Sequence, residues 1–199
     1  MPSPSWNIDT LLIDKMRESL ANVDKKWWCN QAHCKSNRQY LKELASEPNL
    51  QMVRKQAESL VGVYMKNFVT KHYNCLMHFR VGALRSKGEA SQFELQGTLH
   101  RDYQDEVNQK LPDERPQSMI LALDPFNLLY ELEPSSDGSL KTVFVDSGQA
   151  VLFTSSLRHA GGSNGTNGDN TWKYRLFAYI VSDEADFPSE IGTRVNMKK

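Results

Sequence analysis

The sequence predicts a mainly β protein, a sandwich or jelly roll, with helices at its N-terminal end. Short runs rich in β-branched and aromatic residues, separated by turn residues, recur from about residue 75 to residue 181. Apolar residues at three- and four-residue steps are confined to the part before them. The length of 199 residues suits one core with decoration. The chain divides accordingly into a helical support region (1–70), a β core (71–185) and a polar tail (186–199).

Taken in order, Asp9 caps a first helix carrying Leu12, Met16, Leu20 and Val23 on one stripe. Trp27-Trp28 is expected to be a packing contact between helices and β core. Ser36-Asn37-Arg38-Gln39 has the form of a capping box ahead of Tyr40, Leu41 and Leu44, with Pro48 ending that second helix. Leu50, Val53, Ala57, Leu60, Tyr64 and Phe68 mark a third. Strands are then expected around 75–79 with 81–84, 93–100, 118–123, 128–132, 141–145, 150–154 and 174–181. Asp146-Ser147-Gly148-Gln149 reads as a turn, with Gly148 where a positive φ is needed, and 150–154 as the return strand.

Polar residues stand out against this pattern. Along 93–100 the alternation puts Phe93, Leu95 and Leu99 on one face and Glu94, Gln96, Thr98 and His100 on the other, and Asp102 joins the second face if the strand runs on. A polar strand face is usually solvated; inside a small barrel the same face lines a cavity. His159 follows the 150–154 strand and precedes Gly161-Gly162, glycines that let backbone approach a metal and its ligands. Alone it reads as a loop histidine beside a glycine turn. With His100 and Asp102 it completes two imidazoles and one carboxylate, a set able to occupy one face of an Fe(II) octahedron. Arg175 sits in the strand 172–181, and its planar fork suits a carboxylate. Without those partners it would read as an edge-strand arginine facing water.

The order His100-x-Asp102, then a Ser147–Phe153 turn and strand leading to His159, then Arg175 on a closing strand, resembles the Fe(II)- and 2-oxoglutarate-dependent dioxygenases. The nearest flavour is the phytanoyl-CoA-hydroxylase-like or prolyl-hydroxylase-like branch, and the resemblance covers roughly Tyr73 to Glu184. It implies a double-stranded β-helix (a cupin-like jelly roll) whose larger sheet is stiffened by helices. It also implies iron held by His100, Asp102 and His159, with Arg175 anchoring the far carboxylate of 2-oxoglutarate. Dioxygen is then the co-reactant and hydroxylation the outcome, with release of succinate and CO2. A carboxylate at position 102 leaves no ligand position vacant for halide, which favours hydroxylation over halogenation. The interval from His159 to Arg175 is 16 residues, longer than usual for the family. The glycine- and asparagine-rich stretch 161–170 absorbs the difference as a loop, at small entropic cost, and the loop Ala160 to Thr171 is expected to border the cavity mouth. Lys173 and Arg158 are the substitute anchors should Arg175 point outward.

Other classes are narrowed by composition. With 24 basic and 24 acidic side chains the net charge is zero, so nothing argues for nucleic acid. No stretch approaches the ~18 apolar residues of a membrane span, and Met1 to Trp6 lack a secretory signature; an intracellular, cytoplasmic protein is expected. Three cysteines, Cys29, Cys34 and Cys75, argue against a disulfide framework. Cys29, His33 and Cys34 with His72 or Cys75 would make an irregular zinc site, and buried cysteines are the safer account. Tyr103 reads equally as a rim aromatic and as core, and Thr98 as a cosubstrate contact or barrel filler. A cupin-like metal-binding isomerase and a non-catalytic binding protein are the alternatives; neither has a use for an arginine that anchors a carboxylate. The expected substrate is a small molecule or a protein side chain.

Overall fold

The strands form two antiparallel sheets, and helices cover the outer face of the larger. The structure is a computed structural model describing residues 10–29, 38–41, 48–72, 77–87, 99–103, 116–131, 139–161 and 171–188; the side chains of residue 49 and residues 67–72 lie outside that description. Two α-helices, α1 (Thr10–Ala21) and α2 (Pro48–His72), precede most of the strands. The strands are β1 (Trp28–Cys29), β2 (Arg38–Leu41), β3 (His78–Lys87), β4 (Gln117–Ala122), β5 (Phe126–Glu131), β6 (Lys141–Val145), β7 (Ala150–Thr154), β8 (Arg158–Gly161) and β9 (Trp172–Val181). The larger sheet has the order β1-β2-β3-β9-β4-β7 and the smaller β6-β5-β8.

The main core lies between the helices and the outer face of the larger sheet. Ile13, Met16 and Leu20 of α1 and Val53, Ala57, Leu60 and Tyr64 of α2 meet Val81, Ala83, Leu121, Leu176, Ala178 and Ile180. Each such leucine, removed from water, contributes about 1.5–3 kcal/mol. Met16 and Leu20 of the expected α1 stripe are buried and Val23 packs against the same core, but at its first position Ile13 is buried and Leu12 is 45% exposed. Burial of Leu50, Val53, Ala57, Leu60 and Tyr64 matches the periodicity of the last expected helix. Between the sheets, Ala122, Phe126, Leu128, Val145 and Phe153 form a second packed layer.

Three expectations are corrected. The segment read as a helix ahead of Pro48 is the strand β2 over Arg38–Leu41, paired with β1 and β3. Its Arg38 and Tyr40 are buried while Gln39 and Leu41 are half-buried, so period 2 wins over the apparent cap. Pro48 opens α2 rather than ending a helix, as suits a residue whose missing N–H is one the first turn leaves unpaired. The turn at Asp146–Gln149 does hold Gly148 at φ +79, but β6 pairs with β5 and β7 with β4, so the chain changes sheets there instead of closing a hairpin. That crossing is pinned: Gly148 N–H donates to the Ala122 carbonyl at 2.8 Å, and the Tyr64 hydroxyl donates to the Gly148 carbonyl.

Elsewhere the strand bounds follow the sequence closely, and β6 and β7 coincide with it. From His78 on, the run 75–79 with 81–84 is the single strand β3. Asp9, Ser36, Asn37, Leu44, the strand 93–98 and the tail from residue 189 lie outside the described residues. No helix among the described residues is long and apolar enough to cross a membrane.

Candidate metal centre and anion pocket

His159 lies mid-strand in β8, paired on one side with Tyr130 of β5. On its other side it pairs with His100 through two backbone hydrogen bonds, of 3.0 and 2.9 Å, so the segment around His100 adds to the edge of the smaller sheet. The two side chains thus rise together, with ring centroids 4.6 Å apart. Asp102, two residues on, turns back toward both: its Oδ1 lies 3.6 Å from His100 Nε2 and 3.7 Å from His159 Nε2. The three ligand-capable atoms all fall within 4.8 Å of one another, and this is the one such cluster among the described residues. All three side chains are buried, Asp102 at 9% exposure being the most open.

The surroundings fix how these groups point. Ser118 on β4 donates its hydroxyl to Asp102 Oδ2 at 2.5 Å, leaving Oδ1 toward the imidazoles. His159 Nδ1 sits 3.3 Å from the Leu157 carbonyl. With Nδ1–H donating there, Nε2 presents its lone pair to the cluster, the arrangement that orients metal-binding histidines. The Phe153 ring stacks 4.5 Å from the His159 ring and walls that side. Tyr103 is core, not rim: at 2% exposure its hydroxyl donates to the Gln117 carbonyl and accepts from Ile180 N–H. It therefore staples the segment carrying Asp102 to β4 and β9. Burial, then the charge of Asp102, pushes its phenol well above the usual range.

Arg175 points inward, at 1% exposure, from the cavity-side face of β9. Its guanidinium donates to Ser86 Oγ at 3.1 Å and lies 4.2 Å over the Phe126 ring. Burial first, and the neighbouring charge of Arg38 second, lower its pKa to about 9. Of the substitute anchors, Arg158 is bound to Glu131 at 2.6 Å, and Lys173 is half-buried near the start of β9.

Two buried polar residues at this cavity escaped the sequence reading. Ser118 is a lone hydroxyl just ahead of the apolar run Met119–Ala122, and that contrast was its available signal. Arg38 was hidden by the apparent helix. It lines a cleft together with His100, Asp102, His159 and Ser118.

Among the described residues, the metal-ligating cluster takes in none of the remaining candidates. Cys29 is a free, half-buried cysteine. His33, Cys34, Cys75, Thr98 and the loop 162–170 lie outside the described residues, as does the side chain of His72. Trp28 is a packing residue as expected, 5% exposed and 6.0 Å from the Tyr174 ring.

No protein-family model matches this sequence, and neither does any curated protein. Solved structures do match. HygX from Streptomyces hygroscopicus, with nickel, 2-oxoglutarate and hygromycin B bound, aligns at TM-score 0.58 and 15% identity, over 89% of this chain and 80% of its own. A Pseudomonas putida prolyl-4-hydroxylase aligns at TM-score 0.53 and 13% identity, over 90% and 91%. A prolyl hydroxylase from Trichoplax adhaerens, in complex with a hypoxia-inducible-factor peptide fragment, aligns at TM-score 0.55 and 10% identity, over 87% and 78%. The chain therefore has the jelly-roll (double-stranded β-helix) fold of the Fe(II)- and 2-oxoglutarate-dependent oxygenases.

Proposed function

We propose that this protein is an Fe(II)- and 2-oxoglutarate-dependent dioxygenase that hydroxylates a small molecule or a protein side chain. The observation that carries the reading is the meeting of His100, Asp102 and His159 in one buried cluster, in a cleft whose nearby wall holds a buried arginine. The donor set fits a ferrous ion: two imidazoles and one carboxylate satisfy one face and leave the other open. Adjacent ligands of an octahedral ion lie roughly 3 Å apart, so binding would draw in the 3.6 and 3.7 Å separations and the third, which lies within 4.8 Å.

In this reading His100, Asp102 and His159 hold the iron. Ser118 keeps Asp102 turned toward it, and the Leu157 carbonyl keeps His159 in the binding tautomer. Arg175 receives the far carboxylate of 2-oxoglutarate. Charge-assisted hydrogen bonds from a desolvated guanidinium hold that end, so the 2-oxo acid end is left to reach the metal. Phe153 and Tyr179 help keep water from the inner cavity. When bound, the metal supplies dioxygen activation, coupled to conversion of 2-oxoglutarate to succinate and CO2.

The similar structures hold hygromycin B in one case and a peptide in another. The fold thus accommodates both substrate classes that remain open for this chain. The test is to load the protein with Fe(II) and 2-oxoglutarate without oxygen, admit air, and measure succinate with and without candidate substrates. Metal- and oxygen-dependent succinate is the expected result; its absence under every condition overturns the reading.

A further inference from the structure

We propose that the substrate carries an anionic group, a carboxylate or a phosphate, that Lys141 of β6 binds at the barrel rim, with Tyr130 of β5 standing between it and the metal. The inference rests on the function proposed above and names the class of substrate that the same centre would take. It starts from strand register. His100 pairs with His159, His159 with Tyr130, and Tyr130 with Lys141. Directly opposed residues of antiparallel strands point to the same face of their sheet. The four side chains therefore form one row across the smaller sheet, on the face that carries the two imidazoles. Exposure rises along it. His100 and His159 are buried, Tyr130 is half-buried and Lys141 is exposed.

The row lies at the open end of the barrel. Along the inner face of β6, Val145 is buried, Val143 half-buried and Lys141 exposed. Arg175 sits deeper: it pairs with Ala122, whereas Tyr179 pairs with Ser118 beside Asp102. A cosubstrate reaching from the metal toward Arg175 fills the depth of the barrel and leaves the rim to the substrate. Phe153, stacked on the His159 ring, packs with Val143 and gives the row an apolar bed. Two strand spacings separate Lys141 from His159, so a bound anion would lie roughly 10 Å from the metal. Tyr130, halfway along, has a hydroxyl to offer the substrate between its two ends. The carboxylate next in sequence, Glu131, faces the opposite side of the sheet and is held by Arg158. Neither Tyr130 nor Lys141 has an ion pair or side-chain hydrogen bond among the described residues. A lysine on an edge strand such as β6 also discourages pairing with another sheet. That role needs no ligand, and the experiment separates the two.

The protein is loaded with Mn(II) and saturating 2-oxoglutarate. Magnetic relaxation is then followed at the phosphorus of 4-phenylbutyl phosphate and at the labelled carboxyl carbon of 4-phenylbutanoate. The paramagnetic ion speeds relaxation in a distance-dependent way, so each probe reports how far its anionic group lies from the metal. At least one should report roughly 10 Å, and which one does so tells phosphate from carboxylate. Lys141→Gln should weaken that probe about fivefold or more, and Lys141→Arg should keep it. Tyr130→Phe should weaken it by a smaller factor. Failure of both probes to relax in the wild type overturns the inference. So does equal binding by wild type and Lys141→Gln, which would leave the lysine an edge guard, and so does a distance that puts the anion on the metal itself. A wild type that binds Mn(II) but never 2-oxoglutarate overturns the proposed function, and this inference with it.

Discussion

The two faces of β9 are equally buried but built for different ends. Tyr174, Leu176, Ala178 and Ile180 look toward the helices and join the core with Ile13, Met16 and Leu60. Arg175, Phe177, Tyr179 and Val181 look the other way, where Phe177, Tyr179 and Val181 pack with Tyr40, Leu84 and Tyr103 beside the cleft. The first face is apolar and closely packed, so its burial is stabilising in itself. The second buries Arg175 together with Arg38, His100, Asp102 and His159, which costs desolvation that nothing apolar repays. Polar groups held at such a cost on one side of a sheet, behind a well-packed other side, are the mark of a binding surface on a rigid support. Substitutions on the two faces should accordingly separate binding from stability.

The largest effect belongs to the cleft side. His100→Ala, Asp102→Ala and His159→Ala each remove one of the three proposed ligands. Ferrous-ion affinity should fall by more than about 100-fold and succinate formation should cease. Metal titration followed by the oxygen assay reads both. Thermal unfolding of the metal-free variants should stay near wild type, because the sheets, not the ion, organise the core. One variant that keeps metal and full succinate output would remove that residue from the site.

On the helix side the pattern reverses. Leu176 is fully buried among helix residues, and Leu176→Ala should cost about 2–5 kcal/mol in chemical denaturation. Metal affinity of the folded fraction should hardly change. A large loss of metal binding at full fold would show that the two faces are not separable.

Arg175→Ala should leave metal affinity nearly intact while raising the 2-oxoglutarate concentration needed by roughly ten- to a hundredfold. A hydrogen bond to a charged group contributes about 1.5–3 kcal/mol, and about 1.4 kcal/mol is a factor of ten. Arg175→Lys should recover only part, because an ammonium keeps the charge without the fork. The smallest expected effect is that of Ser118→Ala, which frees Asp102 Oδ2 from its hydroxyl partner. Metal affinity should drop about tenfold, with the fold retained. An unchanged affinity would mean that Asp102 is oriented by its backbone alone.

How far the sequence reveals this depends on whether a signal is local. The strands β6 and β7 were legible to the residue, because alternation and a turn glycine are near-neighbour properties. That β6 and β7 belong to different sheets was not legible, since pairing partners lie elsewhere in the chain. The spacing of His100, Asp102 and His159 named three residues that the fold brings together. Arg38 was missed for a physical reason. Ser36-Asn37-Arg38-Gln39 satisfies a helix-start pattern, and only pairing with β1 and β3 makes Arg38–Leu41 a strand. Only the first residue of the α1 stripe was misplaced, by one position, because Leu11, Leu12 and Ile13 are contiguous and all apolar. Which of them turns inward is decided by α2 and the sheet, where Ile13 and not Leu12 finds neighbours.

The most direct test of the central claim, that the cleft face binds a metal and 2-oxoglutarate as one unit, is a pair of calorimetric titrations. 2-Oxoglutarate is added to the metal-free protein and to the Mn(II)-loaded protein. The account predicts weak binding without metal, carried by Arg175 alone, and binding at least tenfold tighter with it, because the 2-oxo acid end then gains the ion. Equal affinity in the two titrations, or none in either, would contradict it.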